Sequence, residues 1–168
     1  LTNYDMVQAE VFWVRNGEQY KQSISPISSL FNEYFGGGMG TIVFQTIRES
    51  KALAYSTYAF FSNPSNKDYR TTFRAYVGTQ SDKFTEATDA MNELLNDLPN
   101  SPKAIENAKV SLLKKLATER ITEDGILFSY LNAKKMGRDF DIRKDIYNIV
   151  PKLSFKDLQQ FHTQEISH

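Results

Sequence analysis

Apolar and polar positions change rhythm several times along this chain, and each change marks an element. Met6 to Val14 (MVQAEVFWV) is dense in β-branched and aromatic residues and runs into Asn16-Gly17, which predicts a buried strand ending at a turn. From Ile24 to Phe35, Ile27, Leu30, Phe31 and Tyr34 recur at spacings of three and four. That is the stripe of an amphipathic helix opening near Ser25-Pro26 and stopping at Gly36. Helical spacing returns from Met39 to Lys51 through Ile42, Val43 and Ile47, and Leu53 to Phe61 (LAYSTYAFF) is aromatic and strand-like. Turn formers fill Asn63-Pro64-Ser65-Asn66, and Tyr69 to Val77 alternates. The two strands are therefore expected to form an antiparallel hairpin.

Beyond Gly78 the pattern is wholly helical. Phe84, Ala87, Met91, Leu94, Leu95 and Leu98 form one stripe, ended by Pro99. Ser101-Pro102 opens a second helix carrying Ile105, Ala108, Leu112, Leu116 and Ile121. Two shorter helices are expected over Ile126 to Met136, stopped by Gly137, and Ile142 to Ile149, stopped before Pro151. Ser154 with Asp157 three positions on resembles a capping box for a last helix.

Strands in the first half and helices in the second predict one α+β domain over residues 1–168, a mostly antiparallel sheet with helices on one face. Three strands are few for that many helices. A fourth is expected beyond the last helix, so the chain reads as a fragment of a larger multidomain protein, cut before a final strand.

The 168 residues suit a single core. Lys plus Arg and Asp plus Glu are equal at 20 each, so no field of one sign favours nucleic acid or an anionic membrane. The absence of cysteine excludes disulfides, thiol nucleophiles and thiolate-bound metals. No apolar run reaches the roughly 20 residues of a membrane span, and no basic-then-apolar leader is visible. A soluble protein is expected, with the compartment open between bacterial periplasm and cytoplasm.

Gly36-Gly37-Gly38-Met39-Gly40 invites a phosphate-loop reading. A helix rather than a strand precedes it, and Thr41-Ile42 stands where Lys-Ser/Thr is required, so a tight corner between helices needing positive φ is expected instead. The two histidines lie in HTQEISH (162–168), which begins like the HxxEH zinc motif and then has Ile166 in place of the second ligand. His162 and His168 fall about 120° apart around a regular helix, too far to share one metal. Solvated helix-end histidines are expected, and no zinc held by this chain. No Gly-x-Ser-x-Gly elbow exists, and nothing singles out a carboxylate pair for acid–base work.

The informative stretch is NEYFGGGMGTIVFQTIRESKALAYSTYAFF, Asn32 to Phe61. It resembles the pitrilysin/insulinase family of zinc peptidases, whose members share a pattern like N-x-x-L-G-G-G-M-S-S-R-L-F-x-x-I-R-E-x-x-G-L-A-Y-S. Ala52 stands where the family often has Gly, and Thr41 to Val43 replaces Ser-Ser-Arg. The resemblance implies a half-clamshell domain of the LuxS/metallopeptidase-like type, one of four in a chamber of two halves. It implies that the zinc and its HxxEH motif reside in another domain or subunit, this chain being inactive alone. The partners implied are that catalytic half and a peptide substrate.

By the same similarity Arg48 and Tyr55 match an Arg/Tyr pair that reaches substrate from the half opposite the zinc. Tyr55 would donate to the scissile carbonyl and Arg48 would hold a substrate backbone carbonyl, roles that a phenol and a guanidinium can fill. From the residues alone, Arg48 reads as a charged helix end and Tyr55 as a core aromatic. The competing function is a scaffold domain of the same family without a proteolytic role.

Overall fold

The computed structural model describes residues 7–167. Three strands, β1 (Gln8–Gln19), β2 (Ser56–Ser62) and β3 (Arg70–Gln80), form one antiparallel sheet in the order β1-β3-β2. The helices are α1 (Ile24–Phe31), α2 (Phe84–Asn96), α3 (Pro102–Thr118), α4 (Glu123–Lys135), α5 (Ile142–Ile149) and α6 (Phe155–Glu165). The architecture is the α+β layer expected, because strand alternation leaves one apolar face that amphipathic helices cover.

Register makes that face explicit. Ala59 pairs with Ala75, Phe61 with Phe73 and Thr57 with Val77, all of them buried. Phe31, Phe35, Ile47, Met91, Leu158 and Phe161 close over this face from the helical side. The opposite face is open. β1 is not the buried strand its composition predicts, for it alternates, leaving Phe12 58% and Val14 65% exposed. Nor does β1 stop at Asn16-Gly17. It continues to Gln19 through a register shift, and Tyr20 N–H still donates to Tyr69 O at 3.1 Å, so pairing with β3 overrides the turn signal.

The Gly-rich corner also differs from expectation. α1 continues as a π-helical turn, Asn32–Gly36, and a second π-helical segment spans Phe44–Ser50. Gly37 has φ −111°, and among the described residues positive φ occurs at Gly137 (+69°) and Ala52 (+49°), not at Gly36, Gly37, Gly38 or Gly40. Gly36 is required for proximity instead: a Cβ there would lie 1.7 Å from the Ala59 carbonyl oxygen of β2.

The later helices begin where capping predicts. Ser101 Oγ accepts from Ala104 N–H at 3.4 Å ahead of α3, and Asp157 Oδ2 accepts from Ser154 N–H at 2.7 Å and from its hydroxyl at 2.6 Å at the start of α6. α3 ends at Thr118, so Ile121 lies beyond it and is exposed. No helix among the described residues is long and apolar enough to cross a membrane.

Candidate functional site

Arg48 and Tyr55 stand on either side of a turn held from several directions. Ile47 is fully buried and anchors the π-helical segment, which turns Arg48, one residue on, to solvent. Lys51 N–H donates to Thr46 O at 3.1 Å and Leu53 N–H to Ile47 O at 2.9 Å, so the segment closes on itself. The chain then reverses at Ala52, in the left-handed region. Ala52 O accepts from Lys83 Nζ at 3.1 Å, and Leu53 O from Thr79 Oγ1 at 2.5 Å, which ties the turn to β3 and to the approach to α2.

Strand pairing begins later than the aromatic run predicts, at Ser56 rather than Leu53. Leu53 is drawn into the core while Tyr55 starts the sheet contact, its N–H donating to Gly78 O at 3.0 Å. Tyr55 is 42% exposed, so it is not the core aromatic that its residue type alone suggests. It flanks a shallow recess of about 80 Å³ with Ala52, Leu53, Gln80 and Lys83.

Tyr55 stands at one end of the open sheet face, where Phe12 and Tyr58 pair with Tyr76 from the two neighbouring strands, ring centroids 4.8 and 5.2 Å apart. The Tyr76 phenol is pushed above its ordinary range, first by desolvation and then by the charge and hydrogen bond of Glu10, with smaller contributions from Tyr58 and Tyr55. The Arg48 guanidinium rests 4.9 Å from the centroid of the Phe44 ring. Among the described residues no hydrogen bond or ring contact joins Arg48 to Tyr55. The structure thus exposes both side chains at one turn without linking them.

His162 overturns the expectation of a solvated histidine. It is 2% exposed, packed against Phe31 and Phe35, and its Nε2 lies 3.1 Å from Leu94 O. Since a carbonyl only accepts, Nε2 carries the proton. Burial pushes the imidazole below its ordinary pKa, with the Leu94 bond and the Asp97 charge opposing. The apolar stripe of α6 forces this, with Leu158, Phe161 and Ile166 sharing the buried side. His168 lies outside the described residues.

A zinc ion does not fit here. The ring is buried with Nε2 committed to a backbone carbonyl, and the position of a second ligand is the buried, apolar Ile166. Among the described residues no group of three or more His, Asp or Glu side chains is arranged to hold a metal.

The fold is an antiparallel sheet covered on one face by helices, with this turn at one end of β2. The chain belongs to the Peptidase M16 inactive domain family, which matches residues 2–116. It is 31% identical over 83 residues, 48% of its length, to a Bacillus subtilis (strain 168) protein named uncharacterized zinc protease YmxG. A peptidase M16 inactive domain from Pseudomonas fluorescens superposes on 96% of the chain with TM-score 0.76 and 18% identity. Pitrilysin does so over 96% with TM-score 0.62 and 12% identity; these two share the fold. The chain spans only 20% of YmxG, 39% of the Pseudomonas chain and 17% of pitrilysin.

Proposed function

We propose that this domain helps to hold a peptide substrate in a zinc endopeptidase whose zinc and HxxEH motif belong to another domain or a partner subunit. The observation that carries the reading is the turn at Ala52. Its backbone is tied to β3 and to Lys83, while Arg48 and Tyr55, the two positions that match the family's substrate-contacting pair, are left exposed on either side. A fixed backbone beneath two exposed polar side chains suits groups that must meet a substrate in one geometry.

In this reading the Tyr55 hydroxyl donates to the oxygen on which negative charge develops as the carbonyl is attacked, and Arg48 donates to a backbone carbonyl further along the peptide. Tyr55→Phe keeps the ring and removes only the hydroxyl. In the full-length parent with a quenched fluorescent peptide it lowers kcat by roughly 10- to 1,000-fold with KM little changed. Arg48→Ala acts mainly on KM, since its bond serves ground and transition states alike. Unchanged kcat/KM in Tyr55→Phe, at normal thermal stability, removes the substrate role.

The second reading is a scaffold domain of the same family with no proteolytic part. It draws on Arg48 already resting on Phe44 and making no contact with Tyr55.

A further inference from the structure

We propose that α4 is the surface through which two copies of this chain pair, the two helices lying antiparallel about a two-fold axis level with Ser129. An amphipathic helix in a folded domain turns its apolar stripe inward. α4 does the reverse. Gly125, Ser129 and Ala133, four positions apart, and the C-terminal Met136 lie on its inward side, Ala133 and Met136 buried and the other two half-buried. The large side chains are on the outside, where Leu127, Phe128, Tyr130 and Leu131 are 45–68% exposed. At about 100° per residue, Leu127 and Leu131 mark the middle of the outward face, opposite Gly125, Ser129 and Ala133, with Phe128 and Tyr130 on its two flanks. A groove of about 330 Å³ lined by Ile121, Ile126, Tyr130 and Phe140 continues the apolar surface beside the helix. A contiguous exposed patch of this kind marks a contact site.

The charges at the two ends of α4 name the occupant. Glu123 and Asp124 stand in its first turn and Lys134 and Lys135 in its last, all within about 60° of the line through Leu127 and Leu131. Acids and bases are equally spaced on either side of Ser129. An antiparallel copy in that register therefore sets Glu123 against the partner's Lys135, Asp124 against the partner's Lys134, Leu127 against the partner's Leu131 and Phe128 against the partner's Tyr130. A parallel copy would set like charges together. Glu123, Asp124 and Lys135 have no ion pair of their own among the described residues. Lys134 Nζ bonds Asp139 at 2.6 Å on the open surface, a kind of pair that adds little in water and that a second carboxylate can join. A second copy carries both halves of the pattern, and a two-fold pair makes each of these contacts twice.

The interface is one 13-residue helix and its border, small for a specific contact, so pairing is expected at micromolar rather than nanomolar concentration. It uses no residue of the turn at Ala52 and does not depend on the peptide role proposed above.

Sedimentation velocity of the 168-residue chain from about 1 μM to about 1 mM tests this. The sedimentation coefficient rises with concentration to that of a dimer, and does so less readily in high salt. Leu131→Lys, at an exposed position, keeps the wild-type Tm and stays monomeric. Glu123→Lys and Lys135→Glu each self-associate about three- to tenfold more weakly, because each sets like charges together twice, and an equimolar mixture of the two recovers the wild-type affinity. A chain that is monomeric at every concentration, a Leu131→Lys variant that dimerises as the wild type does, or a mixture that associates no more tightly than its components overturns the proposal. So does a full-length parent that stays monomeric while the α4 amides are protected from hydrogen exchange, since another of its domains then covers this face.

Discussion

The side chain of Asn32 pairs with the main chain of Phe61 as a neighbouring strand would: Asn32 Nδ2 donates to Phe61 O at 2.9 Å, and Phe61 N–H donates to Asn32 Oδ1 at 2.8 Å. Both bonds lie on the side of β2 away from β3. One amide thus satisfies two strand-edge groups that no other strand among the described residues reaches. Asn32→Ala leaves both unpaired and is expected to cost about 2–4 kcal/mol, measured by urea denaturation. Asn32→Asp keeps the acceptor and loses the donor, so it should fall between the two.

One turn further on, Gly36 lies against Ala59 of the same strand. Gly36→Ala cannot be absorbed by side-chain movement, because the obstructing atom is a backbone oxygen at 1.7 Å. A loss of about 3 kcal/mol or more is expected. Gly37→Ala is the control. Nothing lies within 4 Å of a Cβ there and φ is already negative, so it should be neutral or stabilise by about 0.5 kcal/mol through the unfolded chain. Thermal melts of the two variants separate proximity from backbone freedom.

Ala52 holds a conformation that a Cβ disfavours by roughly 1–2 kcal/mol. Ala52→Gly relieves it and, after the added entropy of the unfolded chain, should stabilise by about 1 kcal/mol, or roughly 2–4 °C in Tm. Ala52→Val should destabilise. A fall in Tm for Ala52→Gly would count against strain at this turn.

His162 makes stability depend on pH. Its folded pKa lies below its unfolded one, so between the two the unfolded chain binds more protons. The contribution is complete above the ordinary histidine value and is lost as pH falls from there towards the folded pKa. Stability should therefore decline on acidification from neutral through pH 6. In His162→Gln that part of the slope disappears, which urea denaturation at a series of pH values detects.

Much of this architecture was legible because local signals and packing agree. Ser101-Pro102, Ser154 with Asp157, and the alternation from Tyr69 act within a few residues, and each stands where its chemistry places it. The failures arise where distant contacts decide. Asn16-Gly17 is a turn signal in isolation, but β3 offers it partners and it stays in the strand. The glycine run suggests positive φ, whereas among the described residues the left-handed ones are Gly137 and Ala52, the latter at the position where the family often has Gly. The place of His162 near a helix end suggests a solvated ring, although Leu158, Phe161 and Ile166, spaced around the same side of α6 and its C-cap, point it inward.

The strand order also sets an order of assembly. β2 and β3 are joined by a short loop, and Ser62 opposite Thr72 closes the hairpin with little chain to fix. β1 pairs with the far side of β3, Gln8 opposite Gln80 and Gln19 opposite Arg70, so every rung joins residues more than fifty positions apart. Loop closure on that scale comes before any contact rewards it. β1 leaves a ribosome before β3 does, so it must wait without this sheet until β3 has been made.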